Sequence, residues 1–315
     1  MTQRLNLFLL AMIVILGMPV YWLTIDNPAP AVAARHLDLA HWRRLAASIP
    51  GNAPMAVEVE TIATRTMPQT FLAAGSGFRP ITARVMAFRL PVAGGKPVVI
   101  DSGLTRKEAG IAGFRHYDAA AQRRVDAALA DAGLVLLTQE SPGHMGGVAA
   151  LAAAGRMPGG LRLSPRQVSP APDARQASWP AARRPAATLG DSAPQAVAPG
   201  IVVIPANGSY APGSQLIFVR LATGRELLFT GDIASVSASW SQMRLPARIL
   251  GAVRQPCNRR ETLAWLKAIH GLARREKALV LVPGHDIGML GAGAAKLPAR
   301  MGFAPSAHPQ QRAGH

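Results

Sequence analysis

The stretch that decides the fold is TQESPGHMGG, residues 138–147, which directly follows a short apolar run, LVLL. Three other polar stretches also follow apolar runs, and they are DSG at 101–103, TGD at 230–232 and PGHD at 283–286. In layered α/β folds, loops at the ends of buried strands converge while the sheet itself stays rigid. His144, Asp232 and His285 are therefore expected to meet at one edge of the fold.

The surrounding pattern predicts strands and helices in alternation. Short extended segments over residues 57–100 are broken by Gly and Pro, which indicates antiparallel β structure. Residues 119–132 favour a helix that Gly133 ends, just before the buried strand 134–137. Further on, the pattern predicts helices at 147–154 and 261–274 and strands at 201–204, 215–219, 226–229 and 278–282. Such alternation predicts a layered α/β domain.

The order of these motifs resembles the metallo-β-lactamase superfamily over roughly residues 55–300. That family has a strand ending in Asp-x-Gly, then Thr-His-x-His-x-Asp-His-x-Gly-Gly, a Gly-His-Thr-Pro-Gly-Ser turn, a strand ending in Gly-Asp, and a late Gly-His. The corresponding stretches here are DSG, TQESPGHMGG, SYAPGS (209–214), TGD and PGHD. The resemblance implies a four-layer αββα sandwich.

The departures from the family pattern all fall on metal ligands and their neighbours. Gln139 and Ser141 stand at the first two histidines, Gly143 at the aspartate that positions the attacking water, and Tyr210 at the histidine of the turn. In the family, the missing histidines form one metal site, and the Gly-Asp carboxylate usually bridges to the other site. The resemblance thus implies that one site is lost and that His144, Asp232 and His285 remain as metal ligands.

The three retained residues have a coherent chemistry of their own. Two neutral imidazoles and one carboxylate suffice for one Zn²⁺ with an open water position, or for a non-haem Fe²⁺, of which Zn²⁺ is favoured. The two-metal clamp that steadies substrate and nucleophile in the family would be absent. Each residue also has a structural interpretation, because strand-end histidines are often merely hydrogen-bonded and Asp232 could cap a following helix.

Two functions follow from this site. The first is a catalytically impaired or non-catalytic binding module, which needs no cofactor and in which Gln139, Ser141 and Tyr210 line a pocket for an unknown small molecule. The alternative is a mono-metal hydrolase of ester, thioester or lactam-type bonds that uses His144, Asp232 and His285. A nuclease is disfavoured, because nucleases of the superfamily rely on the two-metal set that is broken here.

The N-terminus carries an apolar run over residues 7–25, which is long enough to cross a bilayer as a helix. Tyr21 and Trp22 lie near its far end, where aromatic rings favour the membrane interface. We expect an uncleaved single-pass anchor in the inner membrane with a periplasmic body. The small-residue pattern 31–33 (AVA) leaves open a signal peptide cleaved near Ala33, which would release the body into the periplasm.

Composition narrows the function classes further. The 315 residues are 49% hydrophobic and 16% charged, which is enough apolar material for one large core. The net charge of +17 invites a nucleic-acid interpretation, but the arginines are scattered and aromatic residues make up only 5%, which argues against it. Cys257 is the only cysteine in the sequence, so an intrachain disulfide is excluded.

The predicted organisation has four parts. Residues 1–27 form the signal anchor or signal peptide, and residues 28–54 a linker and membrane-proximal segment. The metallo-β-lactamase-like domain spans 55–302 and includes a Pro- and Ala-rich loop or insertion at 164–200. Residues 303–315 form a disordered tail. Glu140 occupies a variable position of the family motif and is expected to be an exposed loop residue.

Overall fold

The computed structural model describes residues 2–27, 31–169, 179–211, 213–253, 257–288 and 299–304. The strands are β1 Val57–Pro68, β2 Pro80–Leu90, β3 Val98–Ile100, β4 His116–Tyr117, β5 Leu134–Leu136, β6 Leu161–Arg162, β7 Gln195–Ala198, β8 Ile201–Pro205, β9 Gln215–Arg220, β10 Glu226–Gly231, β11 Val280–Pro283 and β12 Ala299–Met301. The helices are α1 Thr2–Met12, α2 Met18–Thr24, α3 Leu39–Ala46, α4 Gln69–Leu72, α5 Arg106–Ile111, α6 Ala119–Asp131, α7 Pro142–Ala153, α8 Pro165–Val168, α9 Ser237–Ser241, α10 Arg248–Val253 and α11 Arg259–Arg275.

Two sheets pack face to face at the centre of the domain. Within the described residues, the first sheet has the order β12-β1-β2-β3-β5-β6, with β4 paired to β1, and the second has the order β11-β10-β9-β8-β7. The core between them is apolar, and Phe88 of the first sheet meets Phe229 of the second in an edge-to-face contact with ring centroids 5.0 Å apart. Aromatic pairs of this geometry add to the hydrophobic contribution of the interface.

Helices cover the outer faces of both sheets. Ile201 and Val203 of β8 face the inter-sheet core, whereas Val202 and Ile204 face a second core beneath α3 and α11. Side chains alternate along a strand, so a strand covered on both faces reads as the continuous apolar run IVVI. Helices α5 and α6 cover the first sheet in the same way. The result is the four-layer αββα sandwich that the sequence predicts.

Several elements start or end away from their predicted positions. The helix predicted at 147–154 begins earlier, at Pro142, with Ser141 as its N-cap, because proline is well suited to the first turn of a helix. The predicted loop 164–200 contains α8, a 3-10 turn at Ala181–Arg183 and strand β7, while residues 170–178 lie outside the described residues. Residues 305–315 of the predicted tail also lie outside them, whereas Phe303 is buried against the core of the first sheet.

Residues 39–46, within the segment predicted as a linker, form a helix that packs on the domain. Asp38 caps α3 by accepting a hydrogen bond from the backbone N–H of His41. Leu39, Trp42 and Ala46 are buried on the second sheet, and the rings of Trp42 and Phe218 lie 6.1 Å apart. The packing of α3 completes the outer layer over β8 and β9.

The N-terminal apolar run is one long helix over Gln3–Thr24, with a mean hydropathy of 2.2 and only 6% of its apolar window buried. A π-helical turn at Ile13–Gly17 joins α1 to α2. The length and composition of the whole helix Gln3–Thr24 fit either a membrane span or a signal sequence. No other helix among the described residues is long and apolar enough to span a membrane.

We predict that Trp42→Ala lowers the free energy of unfolding by about 3–5 kcal/mol, the usual cost of removing a large buried aromatic side chain. The measurement is denaturant unfolding of the purified chain. Arg44→Ala on the exposed face of the same helix is the matched control and should change stability by about 0.5 kcal/mol or less. Equal effects of the two substitutions would mean that α3 is not packed as described.

Candidate metal centre

The candidate centre lies where loops from both sheets meet. Asp101 follows β3, His144 lies in the first turn of α7 after β5, Asp232 follows β10, and His285 follows β11. One potential ligand atom from each of His144, Asp232 and His285 falls within 4.8 Å of the others, and all three residues are buried. The structure therefore brings together the three residues that the sequence predicts as metal ligands.

Two glycines allow this close approach. A Cβ atom on Gly147 would lie 2.0 Å from the carbonyl oxygen of Ser102, so no other residue fits where α7 crosses the DSG loop. A Cβ on Gly284 would lie 2.8 Å from the Gly231 carbonyl oxygen and 3.0 Å from Asp232 Oδ1. The glycines of the motifs thus serve the packing of the site-forming loops.

Asp101 fixes the orientation of the His144 ring. Its Oδ2 atom lies 2.8 Å from His144 Nδ1, and its Oδ1 atom accepts a 2.7 Å hydrogen bond from the backbone N–H of Thr138. Asp101 adopts a positive φ of 60°, an uncommon conformation for a residue with a side chain. A carboxylate accepts from Nδ1–H, so neutral His144 presents the Nε2 lone pair to the centre.

His285 is oriented in the same sense by the backbone of β2. Its Nδ1 atom donates a 2.6 Å hydrogen bond to the carbonyl oxygen of Arg84. Since a carbonyl can only accept, the proton of neutral His285 must be on Nδ1 and the lone pair on Nε2. Both imidazoles therefore direct their Nε2 atoms inward.

Two of the inward-facing atoms have no hydrogen-bond partner in the described part of the chain. Asp232 Oδ1 lies 2.9 Å from His285 Nε2 and 3.6 Å from His144 Nε2. Among the described residues, neither Asp232 Oδ1 nor His144 Nε2 has a hydrogen-bond partner of acceptable geometry. Two lone pairs and a carboxylate oxygen that converge in a buried site repel one another unless a positive charge lies between them. The arrangement demands a proton or a cation.

The pKa shifts of His144 and Asp232 also indicate that the centre favours positive charge. Burial alone would lower the pKa of His144, but the neighbouring Asp101 and Asp232 outweigh it and raise that pKa to about 10. Burial opposes the ionised form of Asp232 too, but His285 and His144 hold its pKa well below the usual range. In the absence of a metal ion, these contacts favour a proton on His144 as the source of the missing charge.

Gln139 takes the second oxygen of Asp232. Its Nε2 atom donates to Asp232 Oδ2 at 2.7 Å and to Ser141 Oγ at 2.8 Å, while its Oε1 atom accepts from the Asp232 backbone N–H at 3.1 Å. Gln139 is fully buried. An amide N–H₂ group therefore contacts the carboxylate oxygen that, by resemblance to the family, would reach a second metal ion.

Tyr210, which stands at the histidine of the family's turn, lines a different cavity. This cavity of about 260 Å³ is also lined by Arg248, Cys257 and Arg259, and neither Gln139 nor Ser141 is part of its described lining.

The prediction that Glu140 is an exposed loop residue is wrong. Glu140 is 7% exposed, and its carboxylate accepts from the backbone N–H of Gly213 at 3.0 Å. Burial raises the pKa of Glu140.

Sequence reasoning missed the residues that orient the two imidazoles. Asp101 was visible as part of the DSG motif, but its contact with His144 depends on the pairing of β3 with β5. The role of the Arg84 carbonyl carries no sequence signal, because any residue at that position supplies the same backbone oxygen. Thr138, whose hydroxyl lies 2.9 Å from His144 Nδ1, was visible only as the first residue of the motif.

The fold is similar to that of solved metallo-hydrolases. A quorum-quenching N-acyl homoserine lactone lactonase matches with a TM-score of 0.57 and 13% identity, over 77% of this chain and 97% of that chain. An N-acyl homoserine lactone hydrolase, with N-hexanoyl-L-homoserine bound at its catalytic metal centre, matches with a TM-score of 0.56 and 13% identity, over 76% and 96%. A probable metal-dependent hydrolase from Staphylococcus aureus matches with a TM-score of 0.53 and 13% identity, over 75% and 91%.

At these identities the likeness shows the fold alone, and the chain has the metallo-β-lactamase fold. No family model matches the sequence. No curated protein matches it either.

We predict that Gly147→Ala destabilises the protein by about 1–3 kcal/mol or more, since its methyl group would overlap the Ser102 carbonyl. Thermal unfolding measures the effect. Gly110→Ala is the control, because a Cβ at that exposed helical position would meet no atom within 4 Å. A Gly147→Ala chain as stable as Gly110→Ala would show that α7 does not lie against the DSG loop.

We also predict a pH dependence for the metal-free chain. The pKa of His144 is raised from 6.5 to about 10, so its stabilising effect is complete below pH 6.5 and is lost as pH rises through 10. The stability difference between the parent chain and His144→Gln should therefore shrink from pH 6.5 to pH 10 in EDTA. A difference that stays constant over this range would contradict the assigned contacts. His116→Gln, at an exposed position, should show no such trend.

Proposed function

We propose that this protein is a mono-metal hydrolase in which His144, Asp232 and His285 hold one divalent ion, with Zn²⁺ favoured over Fe²⁺. The observation that carries the proposal is the convergence of His144 Nε2, His285 Nε2 and Asp232 Oδ1, of which His144 Nε2 and Asp232 Oδ1 have no hydrogen-bond partner among the described residues. Two imidazoles and one carboxylate are the donor set of many catalytic zinc sites, which leave a further position open.

The surroundings of the three residues also fit a metal site. Ligating histidines almost always donate their other ring N–H to a carboxylate or a backbone carbonyl, which fixes the tautomer and the ring orientation. Asp101 accepts from His144 and the Arg84 carbonyl accepts from His285 in this way. A divalent ion would also balance the two buried carboxylates Asp101 and Asp232 when both imidazoles are neutral.

The residues around the centre favour a single ion over two. Gln139 donates to Asp232 Oδ2, so this oxygen is already engaged and does not bridge to a second metal. The position of the family aspartate is Gly143, which has no side chain to orient water. A bound divalent ion would supply Lewis acidity that polarises a substrate carbonyl and acidifies water.

These limits favour substrates whose carbonyl is already reactive. Without a carboxylate at position 143, this chain contributes orientation and electrostatics and lacks the general base of the family motif. Esters, thioesters, lactones and strained lactams are more easily attacked than ordinary amides. The similarity in fold to an N-acyl homoserine lactone lactonase supports a substrate of this class.

We further propose that the helix Gln3–Thr24 anchors the protein in the inner membrane, with the domain in the periplasm. The helix is apolar and exposed over most of its length, and Trp22 lies near its carboxyl end. Cleavage near Ala33 would instead release a periplasmic domain. We infer no nucleic-acid partner, since the arginines of the chain are scattered along it.

We predict that the purified full-length chain carries close to one zinc or iron per molecule and that His144→Ala/His285→Ala removes it. Asp101→Asn should weaken metal affinity by about 10–100-fold, because the orienting acceptor of the His144 ring is weakened. Elemental analysis and competition with a chromogenic chelator measure these effects. His116→Ala, at an exposed position on β4, serves as the control.

The same preparations are then assayed on ester, thioester and lactone substrates. Hydrolysis that requires both the metal and the two histidines would support the enzyme. Absence of metal from the parent chain would overturn the proposal and favour the non-catalytic binding module. Two metals per chain would contradict the assignment of Gln139.

A further inference from the structure

A cleft of about 420 Å³ opens beside the candidate centre. It lies between α4, the start of β2 and α9, and its polar lining includes Gln69, Arg79, Arg84, Ser237, Gln242 and Asp286. Arg84 connects the cleft to the centre directly, because its carbonyl oxygen accepts from His285 Nδ1. Asp286 follows His285 in the chain. The three proposed metal ligands do not line the cleft themselves, and the Arg84 backbone and Asp286 form the connection between the cleft and the centre.

The cleft carries two arginines that make few hydrogen bonds, although the Arg84 charge helps to lower the pKa of Asp286 in the same wall. Arg84 donates from one Nη1 atom to the Thr82 carbonyl at 3.0 Å, and Arg79 makes only a long 3.4 Å contact with Gln69 Oε1. Among the described residues, no carboxylate oxygen lies within 4.0 Å of either guanidinium. Each guanidinium carries five N–H donors in a fork that suits carboxylate and phosphate groups, so most donors remain available.

Asp286 is the acidic group in the same wall, and it is already engaged. Its Oδ2 atom accepts from the Ser237 hydroxyl at 2.7 Å and from the Ser237 backbone N–H at 3.2 Å. Its Oδ1 atom accepts from the Gly288 backbone N–H at 2.8 Å. The carboxylate caps the start of α9, and the two arginines leave the cleft with a net positive charge.

The wall of the cleft is also fastened to the end of the N-terminal helix. Thr70, the neighbour of the cleft residue Gln69, donates from its hydroxyl to the Thr24 carbonyl at 2.7 Å. Arg248 donates to the Trp22 carbonyl at 2.9 Å and to the Asp26 carboxylate at 2.7 Å, and its guanidinium lies over the Trp22 ring at 4.8 Å. The Thr70 hydrogen bond places the α4 side of the cleft beside the carboxyl end of the apolar helix, and Arg248, which does not line the cleft, holds that end to the domain.

An exposed aromatic residue is the chain neighbour of the cleft residue Arg79. Phe78 directly precedes Arg79 and is 61% exposed. Its loop is held to α4 by backbone hydrogen bonds from Thr70 to Gly77 and from Gln69 to Arg79. An exposed aromatic ring next to a cationic group suits the interface of a bilayer, where apolar and charged groups meet.

We propose that this cleft binds the anionic head group of a membrane amphiphile, with Arg79 and Arg84 on the head group and Phe78 against the start of its apolar tail. The inference rests on the proposed hydrolase function, to which it adds the substrate class. In this proposal the arginines of the cleft recognise the charge of the head group, and the N-terminal helix holds the protein at the membrane. The metal centre of His144 and His285 would then act on a carbonyl near the head group.

The test is calorimetric titration of the full-length chain in phosphatidylcholine nanodiscs with dihexanoyl phosphatidic acid, a soluble amphiphile with a phosphate head group. We expect saturable binding that Arg79→Gln/Arg84→Gln weakens at least tenfold. Arg115→Gln/Arg220→Gln removes two exposed arginines elsewhere and should leave binding unchanged. Phe78→Ser should weaken binding of the amphiphile severalfold without changing the binding of inorganic phosphate.

The other outcomes overturn either the inference or the hydrolase function on which it rests. Inorganic phosphate that binds as tightly as the amphiphile would indicate a site for free anions. Equal binding of dihexanoyl phosphatidylcholine would exclude recognition of the anionic head group, and binding that survives Arg79→Gln/Arg84→Gln would lie elsewhere. The titration is run on EDTA-treated and zinc-loaded protein beside the metal analysis. If the chain carries metal but does not bind the amphiphile, the inference is rejected and the hydrolase function stands. If the chain binds the amphiphile but takes up no metal, the hydrolase function is rejected and the binding site stands.

Discussion

The structure depends on two buried carboxylates that must each be balanced where the ends of the sheets meet. Asp101 and Asp232 are 2% and 7% exposed, and burying a carboxylate without a partner is costly. Each sheet contributes one acid and one imidazole: Asp101 and His144 come from the first, and Asp232 and His285 from the second. Asp232, the acid of the second sheet, contacts the imidazoles of both sheets, His144 and His285. The register of the inter-sheet core, including the contact between Phe88 and Phe229, therefore determines the geometry of the centre.

Much of this arrangement could be predicted from the sequence because its signals are local. Continuous apolar runs such as IVVI mark strands that are covered on both faces, and the polar stretches that follow them mark loops at the edge of the sheet. The order of those stretches was enough to predict both the fold and the meeting of His144, Asp232 and His285. Their role as metal ligands stays a prediction.

The remaining features arise from contacts that no local pattern encodes. Glu140 is buried because Gly213, 73 residues away, offers its backbone N–H to the carboxylate. His285 is oriented by a backbone oxygen of β2, which is independent of the identity of Arg84. Helix α3 packs on the second sheet through Trp42, although its segment is short and basic. Such features depend on the tertiary structure, so sequence reasoning could only name candidates for them.

Gln139 gives the centre a property that two histidines would not. Its amide is a neutral donor that does not titrate in the ordinary pH range, and it is part of the polypeptide, so this partner of Asp232 Oδ2 needs neither a proton nor a free metal ion. If the centre binds a cation, only the other carboxylate oxygen is available to it. Loading of a one-ion centre would be a single saturable equilibrium with a simple hyperbolic dependence on metal concentration. A two-ion centre passes through a half-loaded state when metal is scarce, and a one-ion centre would have no such state.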